Sequence, residues 1–288
     1  MKYAIKFFCT ILLIAVLAAL GPAAVYAASP NADCTMVLPC TEVPIYDNDT
    51  FIGCGYLIED TTVVPLRTFT EAILDTPCDT QWDPESGTAL LTAENLCISL
   101  KPEDGYMVAN GRYLYLQNSV YNINGTIVVP IRELARVFGI PVVWNEADCS
   151  ISIDTSVLSV LEGGDDYYPE EDLFWLSRVI YSESGNQPLE GMIGVGNVVL
   201  NRAADDSGLF GDGILGVIFL PGQFDVVAAG TIYLQPSEKA VAAAKLCLEG
   251  YNTVGDCKWF VNPAIGSTKW FKTYKTFALT IEDHDFYA

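Results

Sequence analysis

The hexapeptide Thr62-Val63-Val64-Pro65-Leu66-Arg67 returns 65 residues later as Ile127-Val128-Val129-Pro130-Ile131-Arg132. Each copy runs into an amphipathic stretch, Phe69 to Leu74 and Leu134 to Phe138, and then reaches a tryptophan, Trp82 and Trp144. Alternating runs follow, Ala89-Leu90-Leu91-Thr92 with Cys97-Ile98-Ser99-Leu100 after the first copy and Cys149-Ser150-Ile151-Ser152-Ile153 after the second. β-Branched residues ahead of a proline favour extended backbone, and the proline itself suits the first turn of a helix. Each copy is therefore predicted to form a strand, a helix and a hairpin of short strands. Self-similarity of this kind marks the front half of the chain as one organised unit.

Lys2 and Lys6 precede an apolar run from Phe7 to Leu20, which Gly21-Pro22 breaks and Val25-Tyr26-Ala27 follows. This is the layout of a secretory signal, expected over residues 1–27 with cleavage near Ala27 or Ala28. An uncleaved anchor is the alternative, although the run is short for a bilayer span. No later stretch is long and apolar enough, so no integral membrane segment is expected after cleavage. With 51% hydrophobic and 18% charged residues the chain has apolar material for a core. Fifteen Lys+Arg stand against 36 Asp+Glu, a formal net charge of −21 that disfavours nucleic acid as a partner. The front half is the more acidic. A single histidine, His284, excludes a multi-histidine metal site.

Of the nine cysteines, Cys9 lies in the signal. Cys34, Cys40, Cys54, Cys78, Cys97 and Cys149 fall in the front half, and Cys247 and Cys257 bracket a Gly-containing loop. An even count in an exported chain permits disulfides, Cys247–Cys257 among them; free thiols are the alternative. Residues 155–169, with Gly163-Gly164-Asp165-Asp166 closed by Pro169, are predicted to be a linker.

After Pro169, three acids (Glu170, Glu171, Asp172) and a closing Gly185 delimit a helix. Leu173, Leu176 and Ile180 fall on one face, and Glu183 is the next position of that series. A carboxylate ending a core-facing stripe is partly desolvated, which raises its pKa and fits it to hold a proton near neutrality as a general acid. The competing reading is that Glu183 caps the helix end or pairs with Arg202. A second helix follows, from Pro188 to Arg202. Its interior glycines, Gly191, Gly194 and Gly196, each cost about 1 kcal/mol relative to alanine, which implies that another backbone packs very close. Asp225 and Glu190 read as surface charges. A nucleophile–base pairing of His284 with Ser182 or Ser184 lacks a motif, so His284 reads as structural.

Two resemblances are carried by these motifs. The V-V-P-[LI]-R element with its downstream tryptophan resembles the copper amine oxidase N-terminal-like domain, a stalk module of exported Gram-positive proteins, over residues 35–154. A spacer or wall-attachment role without chemistry is implied, with Arg67 and Arg132 structural. The run Ile180-Tyr181-Ser182-Glu183-Ser184-Gly185-Asn186-Gln187-Pro188 and the V-V-L-N-R ending at Arg202 resemble the SleB/CwlJ-type cell wall hydrolases, the spore cortex-lytic enzymes. Pro221-Gly222-Gln223-Phe224, Gly230-Thr231-Ile232-Tyr233, Phe260-Val261-Asn262-Pro263 and His284-Asp285-Phe286 continue the likeness through residues 170–288. Serines at 182 and 184 and Asn186 depart from the alanine and arginine frequent in that family.

The implied fold class is α+β: an N-terminal repeat-containing α+β stalk domain, then a mainly helical lysozyme-like catalytic domain with a small sheet. The implied activity is cleavage of peptidoglycan glycan strands between MurNAc and GlcNAc, as a lytic transglycosylase with Glu183 as single acid and base and no metal or cofactor. Hydrolysis by a muramidase or glucosaminidase is one alternative, and a non-enzymatic wall-binding structural protein is another. Asn201, Gln223, Phe224, Tyr233, Asn262 and Trp270 are the expected substrate-binding residues. The expected location is secreted, in the cell wall or spore envelope.

Overall fold

A computed structural model describes residues 41–117, 120–123, 125–164 and 166–288. The expected signal peptide at 1–27, Cys34 and Cys40 lie outside the described residues. The chain divides into two compact units, one drawn from residues up to 162, the other from 163–288 together with Gly111–Tyr113.

In the first unit β1 (Thr41–Asp47), β2 (Thr50–Ile58) and β3 (Thr61–Pro65) lead into helix α1 (Leu66–Leu74). Then come β4 (Asp79–Asp83), β5 (Thr88–Ala93), β6 (Leu96–Leu100), β7 (Tyr106–Ala109), β8 (Arg112–Tyr115) and β9 (Tyr121–Ile123). The second repeat gives β10 (Thr126–Pro130), helix α2 (Ile131–Val137), β11 (Val142–Asn145) and β12 (Ser150–Ile153). Pro65 and Pro130 stand at matching helix starts with φ of −59° and −55°, the value the proline ring imposes.

The two repeat strands pair with one another, antiparallel, with Val64 opposite Val129. These are equivalent positions, so the copies meet about a local two-fold axis through that pair. Both valines are fully buried, and Leu66, Ile131, Phe69 and Leu134 of the two helices join the same core. The copies then diverge. The β4–β5 hairpin begins a five-stranded sheet ordered β4-β5-β6-β7-β8, whereas β11 and β12 return to the seven-stranded sheet β11-β12-β1-β2-β3-β10-β9. There β12 runs parallel to β1, Ile151 beside Ile45. Arg67 binds Glu71 one turn on at 3.0 Å, and Arg132 donates to the Val142 carbonyl at 3.3 Å. Both are thus used inside the unit. In the segment expected as a linker, the Ser159 and Leu161 amides donate to the Phe138 and Val137 carbonyls, so its first residues are held to this unit.

The second unit begins with α3 (Glu170–Ser184) and α4 (Leu189–Ala203), followed by α5 (Gly213–Phe219), α6 (Asp225–Ala229), a 3-10 turn at Thr231–Tyr233 and α7 (Glu238–Leu248). Strand β13 (Trp259–Val261), helix α8 (Lys269–Tyr274), β14 (Phe277–Ile281) and β15 (His284–Tyr287) complete it, the strands forming a small antiparallel sheet β13-β15-β14. The fold is α+β, sheet-rich in the first unit and mainly helical in the second. No helix among the described residues is long and apolar enough to cross a membrane.

Helices α3, α4 and α7 pack mutually around Leu176, Ile180, Ile193 and the alanines of α7. The α4 glycines permit this, but what fills their space is side chain rather than a neighbouring backbone. A Cβ on Gly196 would lie 2.5 Å from Cys247 Sγ and 2.9 Å from Ile180 Cδ1, and one on Gly194 2.9 Å from both Phe286 and Val254. At Gly191 the nearest atom is 3.3 Å away. The six described cysteines are free thiols. Cys247 does not pair with Cys257; its thiol is buried against α4, within 3.4 Å of the Ile193 carbonyl.

Gly196→Ala is expected to destabilise the unit by about 2 kcal/mol through overpacking, despite its better helix propensity. Gly191→Ala should stay within about 1 kcal/mol of the parent. Urea unfolding of the two variants beside the parent checks the contrast.

Candidate active site

Glu183 sits in the last turn of α3, one turn beyond the fully buried Ile180. The stripe read from the sequence therefore points the carboxylate toward the packed side of the helix. The residues after it are tied down. The Gln187 side chain donates to Asp283 Oδ2 at 3.1 Å and accepts from the Asp283 amide at 3.3 Å, fixing the α3–α4 junction to the β14–β15 turn. Ser182 donates to the Thr231 carbonyl at 3.0 Å, and Ser184 to the Ile180 carbonyl at 2.8 Å. Both serine hydroxyls are thus engaged. Helices α5 and α6 and the 3-10 turn pack against α3 on this side.

The Glu183 carboxylate makes no hydrogen bond or ion pair among the described residues. Burial is the largest influence on it, the negative charge of Asp225 adds to the effect and the positive charge of Arg202 opposes it; together they raise its pKa to about 7. Arg202 is only 6% exposed. Its Nε donates to the Lys258 carbonyl at 2.7 Å and its NH1 to Gln223 Oε1 at 3.3 Å, while the rings of Phe210 and Phe224 lie 5.3 and 5.1 Å from the guanidinium carbon. Burial lowers its pKa to about 10, and it stays a cation at neutral pH. Arg202 is therefore a fixed positive charge held by other groups, and the competing sequence reading of a direct Glu183–Arg202 pair is not realised.

Of the residues expected to bind substrate, Gln223 and Phe224 gather around Arg202. Tyr233, 65% exposed, closes the turn that Ser182 holds, with its ring 6.1 Å from Trp175 of α3. The contacts of the other three are with other groups. Asn201 donates to the Gly255 and Cys257 carbonyls at 2.7 and 2.8 Å, a structural tie. Asn262 accepts from the Ala264 amide at 2.9 Å within its own turn. Trp270 lies in an aromatic group on α8. His284 is packed beside Phe260 and Phe286, its pKa lowered by burial, and engages neither serine. Asp225 is the residue undervalued by sequence reading. It is exposed, as a surface charge should be, yet it acts on Glu183. The available signal was its place directly after Gln223 and Phe224.

A carboxyl group that is half protonated near neutrality, has no partner of its own and faces a fixed cation is the apparatus of a general acid–base enzyme. Residues 186–287, beginning just after Glu183, match the Cell Wall Hydrolase family, and residues 48–153 match the Copper amine oxidase N-terminal domain. The spore cortex-lytic enzyme of Oceanobacillus iheyensis is 35% identical over 106 residues, 37% of this chain and 38% of that protein. That of Bacillus subtilis is 32% identical over 115 residues, 40% and 36% of the respective chains. The catalytic domain of the germination-specific lytic transglycosylase SleB from Bacillus anthracis is 32% identical, covering 43% of this chain and 100% of that one, with a TM-score of 0.40. The chain spans less than two fifths of the length of these curated relatives. The likeness to the cell wall hydrolase family thus lies in the second unit.

Because the folded state holds the Glu183 proton to about pH 7, against 4.5 for the unperturbed group, the carboxylate reduces stability as pH rises between those values. The cost is absent below the lower value, complete above the upper one, and on the order of 3 kcal/mol. Glu183→Gln is therefore expected to raise the melting temperature at pH 8 and to leave it nearly unchanged at pH 4.5. Calorimetry at the two pH values checks this.

Proposed function

We propose that this protein is an exported peptidoglycan-cleaving glycosidase that acts on MurNAc–GlcNAc strands of the cell wall or spore cortex with Glu183 as acid and base. The observation that carries the reading is the unpartnered, half-buried carboxyl of Glu183, poised near neutral pH beside Arg202. In the first step the protonated Glu183 gives its proton to the glycosidic oxygen as the bond to the MurNAc anomeric carbon breaks. The bonding electrons leave with the GlcNAc oxygen, and positive charge develops on the sugar. Arg202 stabilises the carboxylate so formed. In the lytic transglycosylase outcome, the MurNAc 6-hydroxyl attacks the anomeric carbon and returns a proton to Glu183, closing a 1,6-anhydro ring. The names of the relatives, which speak of cortex lysis and lytic transglycosylation, support this outcome.

Asp225 favours a second reading. A second, exposed carboxylate whose charge acts on the first is the pairing used by glycosidases that deliver water or a nucleophile to the same bond. Chemical analysis of the ends separates the two: 1,6-anhydro termini support the first reading, and ordinary reducing termini support the second. Exposed Tyr233 is assigned to stacking on a sugar face. Asn201 and Asn262 are assigned to support of the site rather than to sugar contact.

Glu183→Gln is expected to reduce the release of muropeptides from purified peptidoglycan by roughly a hundredfold or more. Activity of the parent should fall as pH rises through about 7, where the donor loses its proton. Mass spectrometry of digests at pH 5.5 to 9 reads both effects; equal digestion by parent and variant would overturn the assignment.

A further inference from the structure

In a chain with a net charge of −21, the stretch 257–281 holds four lysines and no Asp or Glu. One of them, Lys258, is paired with Asp205. The other three, Lys269, Lys272 and Lys275, belong to α8 and its end. This helix has no fully buried residue. Its aromatic side chains face outward, Trp270 being 48% and Tyr274 68% exposed. The rings form one group: Trp270 lies 5.2 Å from Phe271 and 5.9 Å from Tyr274, and Phe271 rests 5.3 Å from Tyr287 of the sheet. The Lys275 ammonium sits 3.2 Å from the centre of Trp259 and 5.5 Å from that of Trp270.

The group continues toward the candidate active site. Trp259 is 5.7 Å from Phe210, and Phe210 is one of the two rings beside Arg202. A line of adjoining side chains therefore runs from Tyr274 through Trp270, Lys275, Trp259 and Phe210 to the guanidinium that faces Glu183.

We propose that the exposed Lys269–Lys275 face is a remote binding surface for peptidoglycan, stacking its sugar rings on Trp270 and Tyr274 and pairing the carboxylates of its peptide stems with Lys269, Lys272 and Lys275. This rests on the glycosidase reading given above. The chemistry selects the ligand. A plain polyanion would satisfy the lysines and leave the rings in water, whereas a neutral glycan would use the rings alone. A polymer that offers apolar pyranose faces and acidic branches in alternation uses both. The surface is locally positive in a chain whose net charge is −21, so long-range attraction of an acidic polymer is directed to one face. Lys275 carries a lowered pKa through burial and the nearby Lys258 charge, a repulsion that a bound carboxylate relieves.

The test is co-sedimentation of the full chain with purified sacculi in a Glu183→Gln background, so that substrate is not consumed. Three probes are compared: intact sacculi, intact sacculi whose free carboxylates are amidated with excess methylamine and a carbodiimide, and vesicles of anionic phospholipid. Lys269→Glu/Lys272→Glu is expected to weaken binding to intact sacculi roughly tenfold, Lys269→Arg/Lys272→Arg to retain it, and added salt to narrow the difference. Amidated sacculi should bind parent and charge-reversed protein alike. Unchanged binding of the charge-reversed protein to intact sacculi, at an unchanged melting temperature, overturns the proposal. So does a charge-dependent loss seen on vesicles and not on sacculi, which would make the face a membrane contact. Digestion by the Glu183-containing protein is scored separately. Charge-dependent binding without digestion would retain this surface while defeating the glycosidase reading.

Discussion

The site depends on one electrostatic conflict: a carboxylate at the end of an apolar helical stripe, too well packed to be fully hydrated and without a partner of its own. Burial and Asp225 favour its protonated form, and Arg202 favours the ionised one. Neither side wins outright, so the group changes protonation near neutrality, where both halves of an acid–base cycle are accessible. Had Arg202 paired with Glu183 directly, the carboxyl would be an ordinary structural anion. The Lys258 carbonyl, Gln223 and the rings of Phe210 and Phe224 hold the guanidinium instead.

Much of the second unit serves to maintain that geometry. Gly196 lets Ile180 and Cys247 approach α4, which brings the Glu183 helix and the Arg202 helix together. Gln187 and Asp283 fix the chain immediately after the carboxylate to the small sheet. The first unit has a different logic. Its two copies meet through equivalent valines, and its duplicated arginines are occupied by Glu71 and by the Val142 carbonyl.

Local patterns in the sequence were legible where a short-range rule governs them. Proline after two β-branched residues marked both strand-to-helix junctions, and the acids after Pro169 with Gly185 bounded α3 correctly. The Leu176–Ile180–Glu183 spacing located the carboxylate. What remained hidden was set by contacts distant in sequence. The glycines of α4 announced close packing, but not that side chains of Ile180, Cys247, Val254 and Phe286 would occupy the space. Spacing alone suggested a Cys247–Cys257 bond, yet the Cys247 thiol is turned into the helical core. Asn201 looked like a sugar ligand because its neighbours resemble a family motif; its amide is engaged with the 255–257 segment. The action of Asp225 on Glu183 arises only once α6 packs against α3.

The central claim concerns the protonation of one side chain, which can be observed directly. Carbon-13 labelling of glutamate side chains, with the Glu183 carboxyl signal assigned by its loss in Glu183→Gln, gives its titration curve by NMR. A midpoint near pH 7 is the expected result. A midpoint at the ordinary glutamate value near 4.5 would show the group to be solvated and would contradict the account.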